Sequence, residues 1–388
     1  MIARIFFLII LATLLPDIYV YRRFLRRRFD LTAWQHLLWW LPGAVMIAVT
    51  LTYAMIDNFA PDNLTWFNIY LFMLGLIVVP KVLFVLASVA GRLARRLLHL
   101  RRNWGNYVGL LLVLGELYVL FTGSMGGADR LRVNRVTIES ADLPAAFDGY
   151  RIVLFSDAHL GSMRSELLNR AVDAMNAQSP DIIAFVGDLQ NMRPQELPRH
   201  SAVLARLHAR NGVYSVLGNH DYTQYVPKLP EAQKRRNERM TRDFETSVGW
   251  QLLLNDRHII RRGQDSIVVA GEENDGLPPF PDKADLRRTL RGISGKSFVI
   301  LLQHDPSAWR RSILPNSHVQ LTLSGHTHGG QMSLFGIRPT ELMGKDDAGL
   351  YTEGNRMLYV TTGLGGFVPF RFHMDPEVVV ITLKKKAN

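Results

Sequence analysis

Cysteine is absent from all 388 residues. Disulfide support, structural thiolate zinc sites and cysteine-ligated iron–sulfur clusters are therefore excluded, while the compartment stays open. Internal repeats and low-complexity tracts are also missing, so the chain reads as ordinary domains. Acidic residues are scarce at the front: residues 1–128 hold 12 Lys and Arg against 5 Asp and Glu, whereas residues 129–388 hold 33 against 29. Most of the net +11 thus belongs to the first third. The small excess in the rest is too weak an electrostatic footprint for a polyanion, which argues against a nucleic-acid nuclease.

What the first third has instead is apolar length. Four stretches, 2–21, 37–56, 65–89 and 107–122, are near the length that crosses a bilayer core of ~30 Å. They predict four transmembrane helices in a domain spanning 1–128. The first is not read as a cleaved signal, because no small-x-small site follows it and three more such stretches do. Lys81 and Glu116 lie inside the third and fourth, where charges face other helices or reach the interface. RRFLRRRF (22–29) follows the first helix and GRLARRLLHLRR (91–102) the third, whereas DNFAPDN (57–63) holds no Lys or Arg. The positive-inside rule then makes the first and third links cytoplasmic, where they attract anionic head groups, and puts everything after Thr122 outside. The expected location is an inner membrane with an extracytoplasmic (periplasmic) second domain at 129–388.

In that domain, short apolar runs alternate with polar loops. RVTIES, YRIVLFSD, DIIAFVGD, GVYSVLGNHD, SIVVAGEEND, SFVILLQHDP, HVQLTLSGHTH, MLYVTTGLGG and EVVVITL read as strands. Helical spacing falls at 165–178, 196–209, 231–247 and 283–290, and the charged 228–243 predicts an exposed helix. The expectation is an α/β layered fold, with sheet inside and helices outside.

Five strand ends carry the chemistry: Asp157 and His159 in FSDAHLG, Asp188 in FVGDLQN, Asn219 and His220 in VLGNHD, His304 in LLQHDP, and His326 with His328 in SGHTHGGQ. Any one is an ordinary cap or core histidine. Five together, at the strand ends where α/β folds hold ligands, point to a shared metal site. Oxygen and imidazole donors without thiolate suit Mn, Fe, Zn or Co, and seven candidates exceed the needs of one ion. Two ions about 3.5–4 Å apart accommodate them and suit phosphoryl chemistry. The glycines around the GHTH pair leave room for phosphate.

The series DxH, GD, GNHD, H and GHTH from Arg151 to about Leu383 resembles the calcineurin-like metallophosphoesterases. GLGGFVPFRF (363–372) and PEVVVITL resemble their membrane-linked bacterial YkuE- and YaeI-type subgroup. The resemblance implies a four-layer α/β/β/α sandwich behind a transmembrane helix bundle. It also implies two divalent metal ions, one held by Asp157, His159, Asp188 and His328, the other by Asp188, Asn219, His304 and His326. His220 would contact the phosphoryl group or protonate the leaving oxygen. The block GDLQNM departs from the protein-phosphatase pattern, with Asn191 and Met192 in place of an Asp-Arg pair. Asp221 orients His220 or caps a helix, and Asp305 forms a turn before Pro306. Arg371 and Arg164 are solvated or contact phosphate, and His258, His318 and His373 have no motif context.

The function implied is a membrane-anchored phosphoesterase, manganese-dependent or using a related metal, acting on phosphomono- or diesters with lipid-linked or envelope phosphates as candidate substrates. Its partners are the lipid bilayer and the phosphate ester. The rival readings are a cytoplasm-facing pyrophosphatase acting on a nucleotide-activated lipid such as UDP-diacylglucosamine, and a non-catalytic binding or sensory membrane protein.

Overall fold

The computed structural model describes residues 2–56, 64–223, 225–226, 229–344 and 346–386. The chain divides into two compact units, Met1–Met125 and Gly126–Asn388. The link at 57–63 that helped to orient the helices lies outside the described residues.

In the first unit, four helices among the described residues are long and apolar enough to cross a membrane: Ile5–Arg28, Ala33–Ala54, Thr65–Leu97 and Gly105–Asp129. They run longer than the apolar stretches. The basic run after the first helix continues as helix through Arg28, and the third carries a π-helical turn at Leu74–Val78 before ending at Leu97. Leu8, Trp34, Leu86 and Leu111 are exposed, an outward apolar surface that suits lipid. Lys81, expected to face another helix or the interface, has its partner in the first helix: Nζ lies 2.6 Å from Asp17 Oδ1.

In the second unit, twelve strands among the described residues form two six-stranded sheets. The first contains β1 (Arg132–Ser140), β2 (Arg151–Phe155), β3 (Ile182–Phe185), β4 (Val213–Ser215), β5 (Gln251–Leu252) and β12 (Glu377–Lys385), in the order β1-β12-β2-β3-β4-β5. The second contains β6 (Asp256–Arg262), β7 (Asp265–Gly271), β8 (Phe298–Leu302), β9 (Leu321–Ser324), β10 (Gly349–Glu353) and β11 (Arg356–Val360), in the order β10-β11-β9-β8-β7-β6. β2 through β5 run parallel, as do β7, β8, β9 and β11.

Alternation along each strand sorts side chains between layers. Ile152, Leu154 and Ala184 of the first sheet meet Val269, Ile300, Leu302 and Leu323 of the second in one core. The other face of the first sheet, Val153, Phe155, Ile183 and Phe185, packs on Leu168, Ala171 and Met175 of the helix Ser165–Ala177. The other face of the second, Val268, Val299 and Leu301, packs on Trp309 and Ile313. The fold is the four-layer α/β/β/α sandwich.

Some local expectations fail. The helix expected over 196–209 shrinks to Ser201–Leu204 after two 3₁₀ turns, Pro194–Glu196 and Pro198–His200, because each proline lacks the N–H that a continuing helix needs. The one at 283–290 shortens to Leu286–Thr289. β5, β6 and β10 were not expected. All three are sheet edges, and DRHIIRR and GLYTE are largely polar and exposed there, with Ile260 alone buried, too little to create alternation.

Candidate metal centre

The parallel strands deliver their C-terminal loops to one end of each sheet. Asp157 follows β2, Asp188 follows β3, Asn219 follows β4, His304 follows β8 and His326 follows β9. The loops turn sharply: Asp157, His159, Asp188, His326 and His328 all have left-handed φ, between 46° and 71°. That conformation is uncommon outside glycine, and its concentration on five of the seven candidate ligands marks a site where the surrounding structure over-determines the backbone.

Three overlapping groups result: Asp157 with His159 and His328, His159 with Asp188 and His220, and Asp188 with His304 and His326. Within each, the donor atoms lie within 4.8 Å of one another. Asp188 belongs to two groups and sits between two imidazoles, 3.2 Å from His304 Nε2 and 3.9 Å from His159 Nε2. His328 Nε2 lies 3.3 Å from Asp157 Oδ1, a buried oxygen that accepts no hydrogen bond. Asn219 Oδ1 is 3.1 Å from His304 Nε2.

Second contacts fix which atoms face inward. His304 Nδ1 donates to Val186 O at 2.7 Å, which leaves Nε2 towards Asp188 and Asn219. Asp157 Oδ2 accepts from the Ser156 hydroxyl and from the backbone N–H of His326 at 3.0 Å, leaving Oδ1. Burial, reinforced by neighbouring cationic side chains, pushes His159 and His328 well below the usual imidazole range and lowers His326 too. Burial opposes charge on Asp188, but the imidazoles of His304 and His220 outweigh it and hold that carboxyl well down. His304 itself is pushed up to about 10, since Asp188 overrides its burial. Three imidazoles held neutral (His159, His326 and His328) beside the Asp188 carboxylate, with the orphaned Asp157 oxygen among them, are a donor set that fits divalent cations, which would displace the proton His304 otherwise carries.

His220 occupies the rim. Its Nδ1 lies 2.5 Å from Asn191 O, its backbone N–H donates to Asp188 Oδ1 at 2.8 Å, and Tyr225 stacks on the ring at 4.2 Å between centroids. Asn191, in the place where protein phosphatases carry Asp, thus serves His220 through its carbonyl. Glu196 holds that loop by accepting the backbone N–H groups of Asn191, Met192 and Arg193. Sequence reasoning did not single out Glu196, Tyr225 or Phe280, whose ring meets His326 at 5.0 Å. The signal for Glu196 was present in the Pro-x-Glu that opens a 3₁₀ turn.

Some residue expectations are corrected and others hold. Asp221 does not orient His220: its buried carboxylate caps the 3₁₀ turn Asn219–Tyr222 by taking the N–H of Gly218, and also takes the backbone N–H groups of Asp188, Leu189 and Gln190. Arg371 is not solvated. It is 2% exposed, donates to the carbonyls of Gly365 and Met374, and approaches His328 Nδ1 at 3.4 Å. Arg164 is solvated as expected, 65% exposed, and pairs with Asp129. The glycines after His328 are required by the backbone. Gly329 and Gly330 have φ of 57° and 68°, and an added Cβ would meet Met374 and Thr340. Gly325 is the close-approach glycine, since a Cβ there would lie 2.4 Å from Asp157 Oδ2. Asp305 does form the expected turn, accepting from Ser307 N at 2.9 Å.

The chain is similar to two family models: residues 3–128 match a probable calcineurin-like phosphoesterase transmembrane domain, and residues 150–330 match calcineurin-like phosphoesterase. It is 34% identical over 256 residues to the uncharacterized metallophosphoesterase YkuE of Bacillus subtilis, covering 64% of this chain and 84% of that protein. An uncharacterized metallophosphoesterase of Aquifex aeolicus is 31% identical over 266 residues, 66% of this chain and 94% of the relative. UDP-2,3-diacylglucosamine pyrophosphatase LpxG of Chlamydia trachomatis is 30% identical over 300 residues, 64% of this chain and 88% of the relative.

Proposed function

Because the chain belongs to the calcineurin-like metallophosphoesterases and carries their transmembrane domain, we propose that residues 129–388 form a dimetal phosphoesterase acting on lipid-linked or envelope phosphate esters from the extracytoplasmic side of an inner membrane. The family hydrolyses phosphate esters, and the four apolar helices make this member a membrane protein. The observation that carries the dimetal reading is the position of Asp188 in two ligand-competent groups.

Asp157, His159, Asp188 and His328 would hold one divalent ion, and Asp188, Asn219, His304 and His326 the other. Once bound, the two cations supply charge that offsets the negative charge developing on the phosphoryl oxygens and acidify the attacking water. The protein's own part is orientation and proton handling. Asp221 fixes the loop that presents Asp188, and Asn191 O engages His220 Nδ1. Nε2 is then the His220 atom left to hold a proton for the leaving oxygen. Tyr225 stacks on that ring and limits its rotation.

The orientation rests on the two basic links, by the positive-inside rule. A second reading, favoured by the likeness to the Chlamydia enzyme, puts the same site in the cytoplasm as a pyrophosphatase for a nucleotide-activated lipid. A C-terminal reporter fusion active only in the cytoplasm would replace the first topology with the second. For the chemistry, the full chain in detergent with Mn(II) is assayed on aryl phosphomonoesters and diesters and on phospholipid head-group esters in mixed micelles. Turnover of at least one class supports phosphoesterase activity, and inertness towards all three contradicts it. Faster turnover of the lipid esters than of the aryl esters supports the lipid assignment, and the reverse removes it.

A further inference from the structure

Beyond the metal centre, the loop that follows GHTHGG is built in an unusual way. Leu334 and Ile337 exchange backbone hydrogen bonds at 2.9 Å in both directions, closing a two-residue turn over Phe335 and Gly336. Both turn residues have left-handed φ, 53° and 84°. Asn-Gly fills such a turn without strain, whereas a phenylalanine there is strained. The side chain gains no burial in return, because Phe335 is fully exposed. Leu342 and Met343, at the end of the short helix Pro339–Leu342, are 77% and 69% exposed, and Leu334 and Ile337 are exposed beside them.

The loop is also clamped at its base. Asp347 is fully buried and accepts from Arg338 Nε at 2.8 Å, from the second Arg338 donor at 3.0 Å and from Thr340 Oγ1 at 2.6 Å. Its carbonyl takes the hydroxyl of Thr327, the residue between His326 and His328, at 2.6 Å. A protein that anchors a loop with a buried ion pair and then exposes five apolar side chains at its tip is displaying them.

We propose that the tip formed by Leu334, Phe335, Ile337, Leu342 and Met343 inserts into the head-group region of the lipid bilayer. The bilayer is the apolar phase that this chain, with four membrane-crossing helices, always has beside it. A projecting turn suits a deformable interface about 5–10 Å deep, whereas a second copy would need a complementary hollow. Through Thr327 and Asp347 the inserted tip is braced directly against the GHTH loop, so lipid docking and the metal centre share one rigid base.

The chain has no cysteine, so Phe335→Cys, Leu342→Cys and the exposed control Ser294→Cys each give one labelling site for an environment-sensitive NBD probe. The full chain is reconstituted in phospholipid nanodiscs, with and without doxyl-labelled lipid. Blue-shifted emission and doxyl quenching at 335 and 342, with solvent-like emission at 294, are expected. Solvent-like emission at both tip positions overturns the proposal. So does a blue shift that persists in lipid-free amphipol and grows with protein concentration, which would assign the tip to a second copy. Met343→Cys carries the same test if substitution at 335 disturbs the turn. The probe needs no turnover, so its result stands apart from the enzymatic assignment.

Discussion

Asp221 Oδ2 accepts the backbone N–H of Asp188 at 2.8 Å and that of Gly218 at 2.9 Å, while Oδ1 takes Leu189 at 3.0 Å and Gln190 at 3.2 Å. One buried side chain thereby staples the GD loop to the GNHD loop. Asp221→Ala strands four buried donors, and we expect a loss of roughly 3 kcal/mol or more. Thermal unfolding of the full chain in detergent reads this directly. Turnover falls chiefly in kcat, because Asp188 is displaced, and Asp221→Asn recovers only part of both.

His220→Asn removes the proton at Nε2 while leaving the backbone N–H to Asp188. We expect kcat to fall about 10²- to 10⁴-fold with bound metal unchanged. The loss is smaller for aryl esters with acidic leaving groups, which depart without a proton. A uniform loss across leaving groups would assign His220 to binding instead.

Much of this centre was legible in the sequence because its residues sit at strand ends, where an apolar β-branched run stops at Asp, Asn or His. The strand that ends before Asp157 and the one that ends before His304 announce both the fold and a candidate ligand. What was not legible depended on tertiary partners. Asp221 is adjacent to His220 in sequence but serves a loop some thirty residues away, and no local pattern encodes that. Arg371 looks like a surface arginine until the carbonyls of Gly365 and Met374 hold it inside. The edge strands β5, β6 and β10 escaped because an exposed edge needs no alternation.

The clamp beneath the apolar tip gives a pH dependence. Burial opposes charge on Asp347, but the hydrogen bonds from Arg338 and Thr340 outweigh it and depress the carboxyl below its usual value. A depressed folded pKa contributes stability above the unfolded value of about 3.9 and loses it as pH falls through the folded one. The unfolding midpoint therefore drops below about pH 4, and Asp347→Asn lacks that component of the drop. At pH 7 the variant is weaker by about 2 kcal/mol, since the charge-assisted bonds from Arg338 to the buried carboxylate are lost, although Arg338 keeps Glu341 at 3.3 Å and partly reaches water.

In the membrane unit, Asp17→Ala leaves Lys81 without its carboxylate partner among apolar helices. We expect an earlier unfolding midpoint in SDS titration, and substantial recovery in the Asp17→Ala, Lys81→Ala double variant. Equal midpoints for wild type and Asp17→Ala would remove the pair from the account.

The most direct test of the central claim is the number of ions held per chain. Full-length protein stripped of metal, reloaded with Mn(II) and measured by elemental analysis should bind two ions, and Asp188→Ala should lose both, together with phosphoester turnover. A wild-type chain that binds no ion or only one, or an Asp188→Ala chain that keeps two ions and full turnover, would contradict it.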